Sequence, residues 1–316
     1  MALADLTFPL VPRDRVLGIS FGALRSSRRG LGSDAAGSRP YRPGDDVDTI
    51  DWAASARVSS ARGTDEFIVR ERYAEESPRV VVVCDRRASL GLFPRELPWL
   101  HKPDVLGTLI EMIGASAAAA RGLFGYLDFA RTEDEDGVPY WRSPRAPSDF
   151  SRLEDRALRG RPLNAPARSL ELAFEHLGDV RRSLPPGTFV FVLSDFLDPP
   201  PPETWLRVLE HRWDVVPVVV QDPVWEQSFP PVGSISVPIV DVATGRLETM
   251  RLTRREAARR RDENERRLTD LLGSFLELGL DPAVVSSGDE EHLLGAMLAW
   301  SDDRATVTGQ VWRRGV

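Results

Sequence analysis

The 316-residue chain has one cysteine, Cys84, and one lysine, Lys102. A lone cysteine excludes a disulfide scaffold and a thiolate-based zinc site, and it gives no support for an oxidising compartment. The four histidines, His101, His176, His211 and His292, show no HExxH or paired ligand spacing. Lys102 follows a histidine, so the Gly-Lys-[Ser/Thr] ending of a phosphate-binding loop is missing, as is any Gly-x-Ser-x-Gly elbow. No apolar stretch reaches the roughly 18–20 residues needed to span a bilayer. Near the N-terminus, FPLVP and VLGISFGAL are broken by Arg13, Asp14 and Arg15, which leaves no signal-peptide core. A net charge of −7 argues against a general nucleic-acid binder. These absences predict a cytoplasmic protein with no membrane span and no nucleic-acid partner.

What is present is an alternation of short apolar runs and helical patterns, with an ordinary 42% of hydrophobic and 28% of charged residues. Val80–Ser89 (VVVVCDRRAS) reads as a strand buried on both faces of a mostly parallel sheet, ending on Asp85. Phe189–Asp195 (FVFVLSD) is a second such run, also ending on an aspartate. Open α/β sheets bind ligands at the carboxyl ends of their strands. If the two strands are neighbours, Asp85 and Asp195 converge on one crevice and need a cation, a shared proton or water between them.

Around these runs the sequence predicts helices at 103–121, 147–158, 167–183, 203–212, 254–278 and 290–301. Further strands are expected at 123–130, 215–221 and 283–286. Val138–Arg142 should form an antiparallel edge strand, because Pro139 suits an edge. Ser236–Val242 and Arg246–Leu252 pair as a hairpin. The acidic turn Glu133–Gly137 lacks calcium-ligand spacing. In Arg254–Arg267 the arginines are interleaved with acids, which predicts a solvated helix face.

Residues 1–40 lack periodicity and read as loop. Beyond them lies Tyr41-Arg42-Pro43-Gly44-Asp45-Asp46, then Asp51-Trp52, then Ser55-Ala56-Arg57. Pro43-Gly44 suits a type II turn, and Asp45 or Asp46 suits a helix cap. Trp52 is expected as a large apolar anchor, and Glu66–Tyr73 as a strand. Residues 1–76 are therefore divided off as an N-terminal arm from an α/β domain at 77–316, with a hairpin insertion at about 235–252.

The compound motif of Tyr41 to Asp46, Ile50-Asp51-Trp52 and Ser55 to Arg57, followed by an apolar strand ending in Asp85, resembles domain-of-unknown-function family fifty-eight. Asp48 departs from the arginine usual there. The resemblance implies a von Willebrand factor A-like doubly wound sheet of about six strands with one antiparallel edge. It also implies association with a MoxR-type AAA+ ATPase and its client proteins. In that fold a metal site reads Asp-x-Ser-x-Ser, completed by a later Thr and a second Asp. Here Asp85 and Ser89 match the first and last positions, Arg87 replaces the middle serine, Arg168 falls at the threonine, and Ser194-Asp195 supplies the final carboxylate. Arginine cannot ligate, so the expected site is metal-free, with one or both of Arg87 and Arg168 bridging Asp85 and Asp195. Magnesium on Asp85, Ser89 and Asp195 is the alternative.

The expected function is a non-enzymatic interaction module, an adaptor or co-chaperone of the ATPase. A metal-dependent phosphohydrolase or nuclease using clustered aspartates is the alternative. Against it, Arg87 stands where the haloacid dehalogenase pattern needs a second aspartate. A self-associating structural protein is the third reading.

Overall fold

The architecture comes from a computed structural model, which describes residues 6–13, 19–29, 35–42, 47–63, 66–91, 100–131, 138–146, 158, 160–233, 235–240 and 246–313. In the arm, β1 (Ile19–Arg29), β2 (Ala35–Pro40) and β3 (Ile68–Ser77) form an antiparallel sheet in the order β1-β3-β2. Much of residues 1–40 is thus strand and not loop. Gly, Ser and Arg give these segments no apolar alternation, and pairing on both edges of β3 supplies what propensity does not.

Helix α1 (Trp52–Arg62) packs beside β3. Its cap is Asp51, whose carboxylate accepts from the Ala54 N–H at 3.0 Å. Pro43, Gly44, Asp45 and Asp46 lie outside the described residues. Gly63 ends the helix at φ 66°, a left-handed position that favours glycine.

The body runs β4 (Arg79–Cys84), α2 (Lys102–Ala119), β5 (Leu123–Asp128), β6 (Tyr140–Arg145), α3 (Ser169–Asp179), β7 (Phe189–Ser194), α4 (Pro202–Leu209) and β8 (Asp214–Val220). The hairpin β9 (Ile235–Val240) and β10 (Leu247–Leu252) follows, then α5 (Arg254–Glu277), β11 (Ala283–Val285) and α6 (Glu290–Arg313). Six strands make one sheet in the order β11-β8-β7-β4-β5-β6. All its pairs are parallel except β5 with β6. This doubly wound sheet with one antiparallel edge fits the von Willebrand A-like arrangement. The turn at 133–137, the tip of the hairpin at 241–245 and most of the expected helix at 147–158 fall outside the described residues.

Period-two alternation divides the apolar side chains between two layers. Val80, Val82, Phe189, Phe191, Val216 and Val218 face α2 and α6, while Val81, Val83, Val190, Val192 and Val215 face α3, α4 and α5. The first layer also takes in Leu6, Phe8 and Leu10, all buried. Phe8 meets Phe191 and Trp300 edge-on, and its N–H donates to Ser116 Oγ at 3.0 Å. The segment is fastened further by Ser301 Oγ donating to the Pro9 carbonyl and by Arg304 donating to that of Val11. Arg13 and Arg304 share Asp281, and Arg304 also pairs with buried Asp214 at 2.9 Å. Leu6, Phe8 and Leu10 of the arm are therefore part of the core of the α/β body.

This packing predicts that Phe8→Ala costs about 3–5 kcal/mol, the range for emptying a buried aromatic site. Urea unfolding measures it. A midpoint unchanged from that of the parent chain is the result a loosely attached segment gives.

Candidate functional site

The chain turns around at β4: it steps from β4 to β5 on one side, and later from β7 to β8 and β11 on the other. The crevice at such a switch point lies outside the carboxyl ends of β4 and β7. Their register pairs Cys84 with Leu193, and the Asp85 N–H donates to the Leu193 carbonyl at 2.9 Å. The next rung sets Asp85 beside Ser194, whose hydroxyl donates to Asp85 Oδ2 at 2.7 Å.

Arg87 closes back on Asp85. Its backbone N–H donates to Oδ1 at 2.9 Å, and Nε and Nη2 reach Oδ2 at 2.9 and 2.8 Å. Arg87 Nη1 donates to the Asp198 carbonyl at 2.8 Å, and Ser169, at the start of α3, places its hydroxyl 3.5 Å from Asp85 Oδ1. Burial works against the guanidinium's charge, but the bond to Asp85 and the fields of Asp85, Asp195 and Asp198 outweigh it and raise its pKa.

Asp195 faces the opposite layer and has a cation of its own. Lys102, the first residue of α2, places Nζ 3.1 Å from Asp195 Oδ2 and in a short contact with Glu226, with the Ser89 carbonyl at 3.4 Å. Lys102, Asp195 and Glu226 are all buried. Burial holds the Glu226 carboxyl above its ordinary range even with the Lys102 ammonium against it. The Glu226 loop is gripped by α5: Arg267 donates to the Glu226 carbonyl at 2.7 Å, and Asn264 donates to the carbonyls of Trp225 and Ser228. The side of α5 that carries Arg261, Asn264 and Arg267 is therefore engaged by this loop, while Arg254, Arg255, Arg259, Asp262, Glu263, Glu265 and Arg266 are exposed, as the charge pattern predicts.

A third ionic group flanks the first two. Arg86 points to the α2 side, where it donates to the Tyr126 hydroxyl at 3.0 Å and to the Leu158 carbonyl at 2.6 Å. Tyr126 in turn donates to Asp128 at 2.7 Å, and Arg161 binds Asp128 while stacking 4.1 Å over the Tyr140 ring. Alternation accounts for the split, with Asp85 and Arg87 on one side and Arg86 on the other.

Asp85, Arg87, Ser194 and Asp195 thus meet at the ends of β4 and β7, with Ser89 contributing its carbonyl. The expected bridge by one or both of Arg87 and Arg168 is replaced by two separate cations, Arg87 on Asp85 and Lys102 on Asp195, because the carboxylates face different layers. Arg168 is not one of those cations: its side chain is 71% exposed and lies 3.9 Å from Glu171 and Glu175. Lys102, Glu226, Arg86, Asp128 and Arg161 escaped the sequence reading. The one available signal was Lys102, the single lysine of a chain with 40 arginines.

The arm's motif lies apart from these contacts. Asp51 caps α1, while Ser55 donates to the Asp51 carbonyl at 2.7 Å and accepts from the Ile68 N–H at 2.8 Å. The Tyr41 N–H donates to the Phe67 carbonyl, and Arg57 donates to the Ala53 carbonyl. Trp52 is no core anchor: it is 62% exposed.

The donor set does not fit magnesium. That ion needs open oxygen donors in near-octahedral array, whereas both oxygens of Asp85 already accept from Arg87 and Asp195 Oδ2 already holds Lys102. Among the described residues no group of three or more His, Cys, Asp and Glu is placed to hold a metal. Cys84 offers no nucleophile either, since burial pushes its thiol up to about 11.

Two outcomes follow. Arg87→Leu strands the buried Asp85 charge and should cost about 3–5 kcal/mol in urea unfolding, with Asp85→Asn in the same chain recovering part of it. A cost under about 0.5 kcal/mol is what a dispensable surface pair gives. Cys84 should resist iodoacetamide at pH 8 in the folded chain and react once the chain is unfolded in urea. Its folded pKa is raised, so the folded chain keeps a proton that the unfolded one releases. Stability therefore falls as pH rises from the ordinary value of 9.0 to about 11.

Uncharacterized proteins of Mycobacterium bovis and Mycobacterium tuberculosis are each 33% identical to this chain over 90 residues, 28% of this chain and 26% of theirs. The chain thus spans about a quarter of the length of these curated relatives. Among solved structures, the conserved hypothetical protein BatB from Bacteroides thetaiotaomicron is 12% identical, with a TM-score of 0.38 over 72% of this chain and 99% of that one. The pilus adhesin SpaC from Lactobacillus rhamnosus GG is 7% identical, with a TM-score of 0.42 over 72% of this chain and 30% of that one. No helix among the described residues is long and apolar enough to cross a membrane. The family described as "Protein of unknown function DUF58" matches residues 37–269, most of the chain, and the chain belongs to it.

Proposed function

We propose that this chain is a non-enzymatic protein-interaction module, an adaptor or co-chaperone that works with a MoxR-type AAA+ ATPase on client proteins. It docks through the loops at the carboxyl end of the central sheet. The observation that carries this reading is the neutralisation of both crevice carboxylates from within the chain, Asp85 by Arg87 and Asp195 by Lys102. A carboxylate serving as nucleophile or general base needs a free lone pair facing substrate. Asp85 spends its oxygens on Arg87 and Ser194, and both aspartates are fully buried. The same contacts weigh against the metal-dependent hydrolase reading.

What the crevice does present is a rim. Asp198, with its side chain 86% exposed, stands beside Arg87, and Arg168 is exposed ahead of α3. Such rim charges steer encounter and set partner choice.

Biolayer interferometry of the full chain against the purified MoxR-type ATPase of the same genome tests the proposal. Binding should persist in EDTA and weaken about tenfold or more with Arg168→Glu, a like-charge reversal at the rim. Absence of binding, or magnesium-dependent hydrolysis of a phosphoester that Asp85→Asn abolishes, defeats it.

A further inference from the structure

The start of α5 breaks a local rule. A helix N-terminus carries partial positive charge and favours acids, yet α5 opens on Arg254 and Arg255, with Arg251 just ahead of them. Glu256 is the one acid of the first turn, and it is already held by Arg259 at 2.8 Å and Arg260 at 3.5 Å. Arg251, Arg254 and Arg255 are exposed and meet no carboxylate among the described residues. Lys102 breaks the same rule in α2, where Asp195 and Glu226 account for it. The surrounding stretch deepens the excess: Arg246 to Arg261 holds seven arginines and two glutamates, a net charge of +5 in a chain of −7 overall. Breaches of local rules of this kind concentrate at functional sites.

The same stretch includes an open sheet. Among the described residues β9 and β10 pair only with each other, so each has an outer edge without a partner strand. Pro238 of β9 stands opposite Thr249 with no shift in register. Proline inside a strand is confined to places where its nitrogen faces outward, so the outer edge of β9 lacks a donor midway. Strand β10 has no proline, and each of its residues keeps its N–H. Thr249 and Arg251, both exposed, share one face of β10. The strand then leads through Thr253, the cap of α5, into Arg254 and Arg255. The three arginines fall within five consecutive residues, so a segment laid along β10 passes all of them.

These two features select one occupant. An open strand edge is completed by a polypeptide backbone, which neither a nucleic acid nor a lipid surface supplies. Arginines without a carboxylate partner suit carboxylates, which they bind through paired N–H groups. We propose that the outer edge of β10 takes an extended acidic segment of a partner protein as a third strand, its carboxylates meeting Arg251, Arg254 and Arg255. This surface belongs to the hairpin and the start of α5 and does not rest on the reading of the crevice.

The test is fluorescence anisotropy of the full-length chain, at physiological salt, with short labelled peptides in which glutamate alternates with threonine. Alternation places every carboxylate of an extended peptide on one face. The expected result is saturable binding that falls about tenfold or more when Arg254→Glu and Arg255→Glu are combined. Methylating alternate peptide nitrogens keeps the charge and removes the edge hydrogen bonds, and it should also weaken binding about tenfold or more. Unchanged circular dichroism of the double variant keeps misfolding out of the comparison. Equal binding of the methylated peptide shows attraction by charge alone and overturns the proposal. So do an absence of saturable binding, indifference to the double reversal, and tighter binding of an oligothymidylate of matched charge or of phosphatidylglycerol vesicles. A self-associated chain in light scattering that the double reversal returns to monomer assigns the edge to a second copy and overturns it as well.

Discussion

A buried carboxylate at the end of a parallel strand is tolerable only when a cation comes with it, and the region around the ends of β4 and β7 is arranged to bring one to each. Asp85 and Asp195 are fully buried. Desolvating such charges costs several kcal/mol apiece, which a paired charge and hydrogen bonds repay only in good geometry. Each pair therefore adds little net stability but makes departures from its geometry expensive. That constraint fixes the turn after β4, since Arg87 must fold back two residues to reach Asp85. It also fixes the start of α2. A lysine in the first turn of a helix opposes the helix dipole, so Lys102 is badly placed for α2 itself. Its contacts with Asp195 and Glu226 account for it.

The strand pleat then decides which cation serves which carboxylate. Asp85 leaves β4 on the α3 side, where Ser169, Ser194 and Arg87 meet it. Asp195 leaves β7 on the α2 side, where Lys102 and the Glu226 loop lie. Arg86, between Asp85 and Arg87, is directed toward Tyr126 and the neighbourhood of Asp128. Three consecutive charged residues are thus distributed between two faces of one sheet. The opposite end of the layer has its own ionic lock, in which Arg304 and Arg13 hold Asp214 and Asp281 and keep Leu6, Phe8 and Leu10 against the sheet.

The parts of this that were legible in sequence are those encoded locally. Four valines before Cys84 and the run before Asp195 are strands at any register, and a charge at the end of each is visible without a structure. What was hidden depends on contacts between distant residues. Lys102 and Asp195 are 93 positions apart, and nothing near either residue announces the pairing. Arg168 looked equivalent to Arg87 because position along the chain does not reveal that one side chain turns inward while the other lies along the α3 surface. The FPLVP segment does alternate apolar residues, but the Gly- and Ser-rich stretch behind it masked a buried strap. Trp52 was misjudged for the opposite reason: a large aromatic residue suggests a core, and only the surroundings show that this one stays at the surface.

Substituting fixed side-chain cations for a metal changes what the crevice offers a partner. A bound metal with an open coordination position can share itself with an incoming carboxylate, so affinity follows the ion and is lost with it. A guanidinium held by Asp85 and the Asp198 carbonyl has few donors left for a guest, and an ammonium enclosed by Asp195 and Glu226 has fewer. On the adaptor reading proposed above, recognition would fall not to the centre of the crevice but to its rim, where charges remain solvated and individually weak. A docking face of that kind acquires specificity from the shape of its loops, which the buried pairs hold in place. This is the physical sense in which an ion-paired crevice suits an adaptor better than a catalyst: its charges are committed to geometry before any partner arrives.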